Sequence, residues 1–188
     1  MKKLILQQQI SLDGFNSTGP NDEQKWVTWA WDELKQQVLD LANACDTELI
    51  GRKLAVDYLP FWNDAYSKPD SMMYEVAKIK AGQRKIVFTK TLEQSLWENA
   101  ELAQGDLVEE VNKLKRQAGK DIIVYGGSSF VAELVRENLI DVFYLYVNPV
   151  VLGSGTPVFG AVKDWQHLTL IQSTAFTCGI VLLHYERQ

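Results

Sequence analysis

The sequence predicts an α/β protein with a mostly parallel sheet flanked by helices and an antiparallel edge. Three observations point there. Short apolar runs alternate with segments whose apolar residues recur at three and four. The run Asp121–Tyr125 is apolar through its middle, as in a central parallel strand covered on both faces. The tail reads as two strands, Leu168–Phe176 and Ile180–Glu186, joined at Thr177-Cys178-Gly179.

From the start, Lys3–Ile10 is a short strand, and Asp13-Gly14 is a turn signal after it. Phe15 to Lys25 carries Gly, Pro, Asn and Ser and reads as a loop. Trp31, Leu34, Val38, Leu41 and Cys45 form one helical stripe, and Thr47–Gly51 is the next strand. Ser71–Ala81 places Met72, Met73, Val76 and Ile79 at helical spacing, with Gly82 as a stop. Strands are expected at Lys85–Phe88 and, more weakly patterned, near Ala100–Ala103. Asp106 with Glu109 resembles a capping box ahead of a stripe of Leu107, Val111, Leu114 and Ala118. After Asp121–Tyr125 comes Gly126-Gly127-Ser128-Ser129, then a helix with Phe130, Leu134, Val135 and Leu139. Asp141–Leu152 is a long strand and Gly153–Gly160 a Gly/Pro loop.

The 188 residues hold 19 Lys+Arg against 24 Asp+Glu, a formal charge of −5, with 46% hydrophobic and 23% charged residues. That composition belongs to a globular chain, and the length to a single domain over residues 1–188. A pI near 5.1 excludes nucleic acid or an anionic membrane as the main partner. Gln7-Gln8-Gln9 ends the opening apolar run too early for a signal peptide, and no run nears the roughly 20 residues a membrane helix needs. The expected location is the cytoplasm. Cys45, Cys178, His167 and His184 lack zinc-motif spacing, so no metal site is expected, and both cysteines read as buried thiols in a reducing compartment.

Ligands of open α/β sheets bind beyond the carboxyl ends of strands, and three such ends carry suitable residues. Gly126-Gly127-Ser128-Ser129 offers close backbone approach, hydroxyls and a helix amino end, a phosphate cradle. It lacks the spacing of a Rossmann turn or P-loop, and a tight turn with a helix cap reads equally well. Gly51-Arg52-Lys53 sets two cations before a helix, suited to a phosphate monoester or simply solvated at the surface. Thr89-Lys90-Thr91 adds a hydroxyl and a cation, or a turn and a cap. Together they fit one extended ligand with several phosphates, such as a nicotinamide dinucleotide phosphate.

These residues resemble the dihydrofolate reductase superfamily, and within it the C-terminal reductase domain of the riboflavin-biosynthesis deaminase/reductase. The resemblance is carried by Ser11-Leu12-Asp13-Gly14, Leu49-Ile50-Gly51-Arg52-Lys53, Val87-Phe88-Thr89-Lys90-Thr91-Leu92, Val124-Tyr125-Gly126-Gly127-Ser128 and Leu139-Ile140-Asp141 through Asn148-Pro149-Val150-Val151-Leu152-Gly153-Ser154-Gly155. It implies a dihydrofolate reductase-like three-layer fold with helices on both faces of the sheet, and NADPH as hydride donor. Gly51, Arg52, Lys53, Thr89 and Lys90 would serve the adenosine side and its 2′-phosphate. Gly126, Gly127, Ser128 and Ser129 would face the pyrophosphate, with a Gly-Gly bond that is often cis in this family. Asp13 and Gly14 would lie near the nicotinamide, with Phe15 to Lys25 as a lid. Leu54 stands where the family commonly has Thr, and the Trp-Pro loop of folate reductases is missing.

Asp32, early in the first helix, is the candidate acid that binds a pterin-like ring or protonates substrate. A first-turn carboxylate also suits the helix dipole by itself. Trp26, Trp29, Tyr58, Phe61 and Trp62 offer an aromatic wall for a flat heterocycle, while Trp31 lies on the packing stripe. The expected reaction is hydride transfer to a C=N or C=O of a small heterocycle, like 5-amino-6-(5-phosphoribosylamino)uracil reductase or dihydrofolate reductase. The alternative is a non-catalytic nucleotide-binding module on the same fold. The C-terminal strands leave an edge that needs cover, and a homodimer through it is expected.

Overall fold

The apolar runs Leu49-Ile50, Ile86-Val87 and Ile122-Ile123-Val124 all become parallel strands, because each is buried. They belong to a computed structural model that describes residues 1–20 and 22–188. Its backbone contacts divide into two units, Met1–Lys2 with Leu34–Gly127, and Lys3–Glu33 with Ser128–Gln188.

In the first unit β3 (Cys45–Gly51) pairs in parallel with β4 (Arg84–Phe88) on one side and β6 (Asp121–Val124) on the other. β5 (Ala100–Ala103) pairs in parallel with β4, giving the order β5-β4-β3-β6. α1 (Trp31–Ala44) runs into β3 at Cys45 without a loop, so the expected helical stripe stops one residue before Cys45. α2 (Arg52–Tyr66) follows β3 directly and tolerates Pro60 in its interior. Ala55 and Leu59 of α2 are buried with Ile50, Val87 and Ala100, and that apolar packing offsets the backbone bond that proline removes.

α3 (Tyr74–Gly82) starts three residues later than its apolar spacing predicts. Ser71 holds the preceding residues in a turn, its carbonyl accepting from Tyr74 N and its hydroxyl from Met73 N at 3.2 Å. α4 (Leu107–Lys115) opens as expected: the Asp106 carboxylate accepts from Val108 N at 2.9 Å and Glu109 N at 3.1 Å. It ends at Lys115, so Ala118 lies beyond the helix.

In the second unit β1 (Leu4–Ser11) pairs in parallel with β7 (Val142–Asn148). β10 (Val181–Arg187) is antiparallel to β7, and β9 (Leu168–Ala175) is antiparallel to β10, the expected hairpin. β7 ends at Asn148 rather than Leu152, because Pro149 has no N–H to continue a ladder. The two segments read as loops each contain a short strand, β2 (Phe15–Ser17) and β8 (Thr156–Pro157), which pair with each other. Asn21 of the first segment lies outside the described residues. Gly155 permits this pairing: at φ +144°, a Cβ there would meet the Ser17 carbonyl oxygen at 2.1 Å. α5 (Ser128–Arg136) buries Phe130, Val131, Leu134 and Val135, and Leu139 falls after it. Cys45 is buried, but Cys178 is only half-buried in the hairpin turn, contrary to the reading of both as buried thiols.

Replacing the α4 cap, Asp106→Ala, should lower the unfolding free energy by about 1 kcal/mol in a denaturant titration, with Asp106→Asn recovering most of it.

Candidate functional site

Gly51 pairs with Phe88, and Leu49 with Val124, so β4, β3 and β6 run in one direction and finish side by side. The first unit therefore brings Arg52-Lys53, Thr89-Lys90 and Tyr125-Gly126-Gly127 to a common edge. Arg52 is half-buried, and Lys53 and Lys90 are exposed. Among the described residues no carboxylate pairs with any of the three. Gly51, the N-cap of α2, is extended and supplies no side-chain cap, and the first turn holds no acid. Two cations at the positive end of a helix repel its dipole, and an anion bound there would relieve that repulsion. Thr89 is buried, and its hydroxyl oxygen accepts from Thr91 N and Leu92 N, both at 3.1 Å, so the turn-and-cap role is visibly filled. Gly127 sits at φ +82°, where a side chain would be strained. The described residues contain no cis peptide bond, so the Gly126–Gly127 bond is trans rather than the cis form expected.

Beneath this edge lies a buried charged cluster that the sequence reading did not find. Glu48 on β3 and Lys80 on α3 are 1% and 2% exposed, and their ion pair measures 2.8 Å. The Tyr58 hydroxyl of α2 donates to Glu48 and accepts from Lys80 Nζ. Lys80 Nζ also lies 3.4 Å from the centroid of the Tyr125 ring, and about equally far from Trp62 and Tyr58, at 5.0 and 5.1 Å. Burial pushes the Lys80 ammonium below its usual value, with Glu48 opposing, and burial beside Glu48 holds Tyr58 protonated. Lys85, also buried, donates to the carbonyls of Lys80 at 2.6 Å and Gln83 at 3.0 Å. Tyr58 and Trp62, both half-buried, thus neighbour an ammonium ion that the expected aromatic wall did not include; Phe61 is exposed.

The second unit holds the remaining candidates. The Asp13 carboxylate accepts from Ser11 Oγ at 2.7 Å, Gly153 N at 2.7 Å and Leu152 N at 3.1 Å. The Ser11 hydroxyl first, with those backbone amides, holds its carboxyl down at about 2. Gly14 turns the chain at φ +85°. Asp13 therefore ties the turn after β1 to the loop after β7. Asp32 is exposed in the first turn of α1. Its neighbour Glu33 accepts from Thr177 N at 2.8 Å and Cys178 N at 3.3 Å. Ser128 and Ser129 are the first residues of α5, half-buried and exposed respectively.

A family model for the RibD C-terminal domain matches residues 2–182. The chain belongs to that family. As a RibD C-terminal domain it is 35% identical over 187 residues to the uncharacterized protein YyaP of Bacillus subtilis (strain 168), covering 98% of this chain and 94% of YyaP. It superposes over 100% of its length on a diaminohydroxyphosphoribosylaminopyrimidine deaminase/5-amino-6-(5-phosphoribosylamino)uracil reductase from Thermotoga maritima, with a TM-score of 0.71 and 19% identity, and spans 57% of that chain. The riboflavin biosynthesis reductase Rib7 of Saccharomyces cerevisiae matches with a TM-score of 0.61 and 20% identity, covering 100% of this chain and 90% of Rib7. These likenesses bear out the dihydrofolate reductase-like fold. In this RibD C-terminal domain Leu54 stands where a Thr is common, and a Cβ on Gly126 would lie 3.6 Å from Leu54 Cδ2. An apolar side chain thus backs the glycine turn where a hydroxyl was expected.

The Asp13 tie gives a pH prediction. Its folded value lies below the usual carboxylate value of about 4, so its stabilisation is present above that pH and lost as pH falls through about 2. Asp13→Ala should lower the Tm at neutral pH, and the gap to wild type should close between about pH 4 and pH 2, read by scanning calorimetry.

Proposed function

We propose that this chain is an NADPH-dependent reductase acting on a C=N or C=O carbon of a small heterocycle, of the aminopyrimidine ribosyl phosphate or pterin kind. The observation that carries the reading is the common edge of β4, β3 and β6, where three cations that no carboxylate pairs among the described residues and two glycines meet a helix start without a side-chain cap. Membership of the RibD C-terminal domain family and the reductase named in the Thermotoga protein support it.

Arg52 offers the 2′-phosphate a planar fork of donors, with Lys53 and Lys90 as point charges around it. Gly51 lets the backbone approach, and the first amides of α2 remain available to an anion. Thr89 shapes the loop that carries Lys90. Gly126 and Gly127 expose backbone to the pyrophosphate, and Ser128 and Ser129 add hydroxyl donors at the start of α5. Asp13 and Gly14 are assigned to the nicotinamide end, where the fixed carboxylate keeps the turn in shape. Bound NADPH supplies the hydride. Asp32, exposed on the first turn of α1, is assigned the delivery of the proton, a role worth about 10²–10⁴ in rate.

Free thiols at Cys45 and Cys178 suit the cytoplasm, and no helix among the described residues is long and apolar enough to cross a membrane. β9 pairs only with β10 among the described residues and exposes Leu170 and Ile171, each 51%. We assign that edge to a homodimer. Light scattering coupled to size exclusion should return twice the monomer mass of 21.4 kDa, and Ile171→Lys should shift it toward the monomer.

Coenzyme specificity tests the central reading. At about 100 times its Kd, NADPH should add about 2.7 kcal/mol to stability and raise the Tm more than NADH does. Arg52→Ala should erase that difference. Equal shifts in the intact protein would remove the 2′-phosphate role. Loss of 340 nm absorbance on adding an aminopyrimidine ribosyl phosphate or dihydropterin separates the enzyme from a module that only binds.

A further inference from the structure

The glycine turn has a mechanical problem. Gly126 and Gly127 carry no side chains, so neither can hold its own amides in place, and Gly127 stands at a φ that only glycine adopts readily. The side chain next to the pair on the β6 side is Tyr125, whose ring covers the Lys80 ammonium at 3.4 Å. That ammonium is fixed by Glu48 of β3 at 2.8 Å and by the Tyr58 hydroxyl of α2 at 2.5 Å. Lys85 of β4 grips the Lys80 carbonyl, which anchors the end of α3. Tyr58 lies on the same helix whose first residues are Arg52 and Lys53. One buried charge is therefore the common reference for the cationic helix start and for the glycine turn.

Stability alone does not account for this cluster. A buried ion pair commonly does no better than an apolar pair of the same volume. Here Glu48 Oε2 is buried without a hydrogen-bond partner among the described residues, a further cost. We propose that the Glu48–Lys80 pair, acting through the face of Tyr125 and the hydroxyl of Tyr58, is a positioning device that sets the distance between the Arg52-Lys53 helix start and the Gly126-Gly127 turn to the separation of the coenzyme's 2′-phosphate and pyrophosphate. It rests on the coenzyme reading above and adds to it residues that never touch the ligand.

The test measures NADPH and NADH affinity by titration, with Tm recorded in parallel, in wild type, Tyr125→Leu, Tyr125→Phe and the double variant Glu48→Gln/Lys80→Met. The double variant removes both charges together, so neither is left buried alone. Tyr125→Leu should weaken NADPH about tenfold and NADH less, because it loses the cation–π anchor and only NADPH bridges the 2′-phosphate cations and the turn. Tyr125→Phe keeps the ring and should stay within about twofold of wild type. The double variant should reproduce the loss seen with leucine at a Tm near wild type, and it decides the matter if Tyr125→Leu does not fold. A merely structural cluster predicts a lower Tm with unchanged affinities, and that result overturns the proposal. If wild type shows an Arg52-dependent preference for NADPH while Tyr125→Leu and the double variant bind as wild type does, only the positioning role falls. If wild type binds neither coenzyme, the coenzyme reading and this one fall together.

Discussion

Parallel register in the first unit is the constraint on which the candidate site depends. Glu48 sits opposite Lys85 on one side and Ile123 on the other. Strand side chains alternate faces, so a slip of one residue would turn Glu48 away from Lys80. It would also bring Leu49 to the face that Ile50 now lines. Each half of the ion pair would then be buried alone, a loss of about 3–5 kcal/mol. The register aligns the strand ends, and the buried pair penalises every other register. The same contact thus serves the core and the edge above it.

Much of this was legible before any coordinates. The strand ends, the Asp106 cap and the C-terminal hairpin all follow from local chemistry, which a single sequence states openly: glycine pairs, a capping aspartate, and apolar runs too short for helices. Where the structure departs from local propensity and periodicity, packing or a turn hydrogen bond decides. β2 and β8 are too short to carry a period, and they exist because Gly155 lets two loops approach. α2 shows Pro60 in its middle, and burial of Ala55 and Leu59 against the strands overrides it. Ser71 delays α3 through its own hydroxyl.

The buried cluster was invisible for a different reason. Glu48 and Lys80 are 32 residues apart, and each looks like a surface residue by type. The one available signal was that Glu48 interrupts the apolar run of β3, a position where a charge without a partner would not be tolerated. The aromatic residues were noticed as a group, but the ammonium ion beside Tyr58 and Trp62 was not. Asp13 was legible as a turn and, through the resemblance, as a neighbour of the nicotinamide; its bonds to Ser11, Leu152 and Gly153 join segments far apart in sequence and were not.

Cys45 begins β3 directly after α1, and that junction has a practical consequence. Burial, aided by the nearby Asp121 and Asp46 carboxylates, pushes its thiol up to about 12, so at ordinary pH it carries almost no thiolate. Cys178 occupies the turn between β9 and β10 and is partly open to solvent. A maleimide dye therefore has one address on the native chain, and it reports on the C-terminal hairpin without any engineered cysteine.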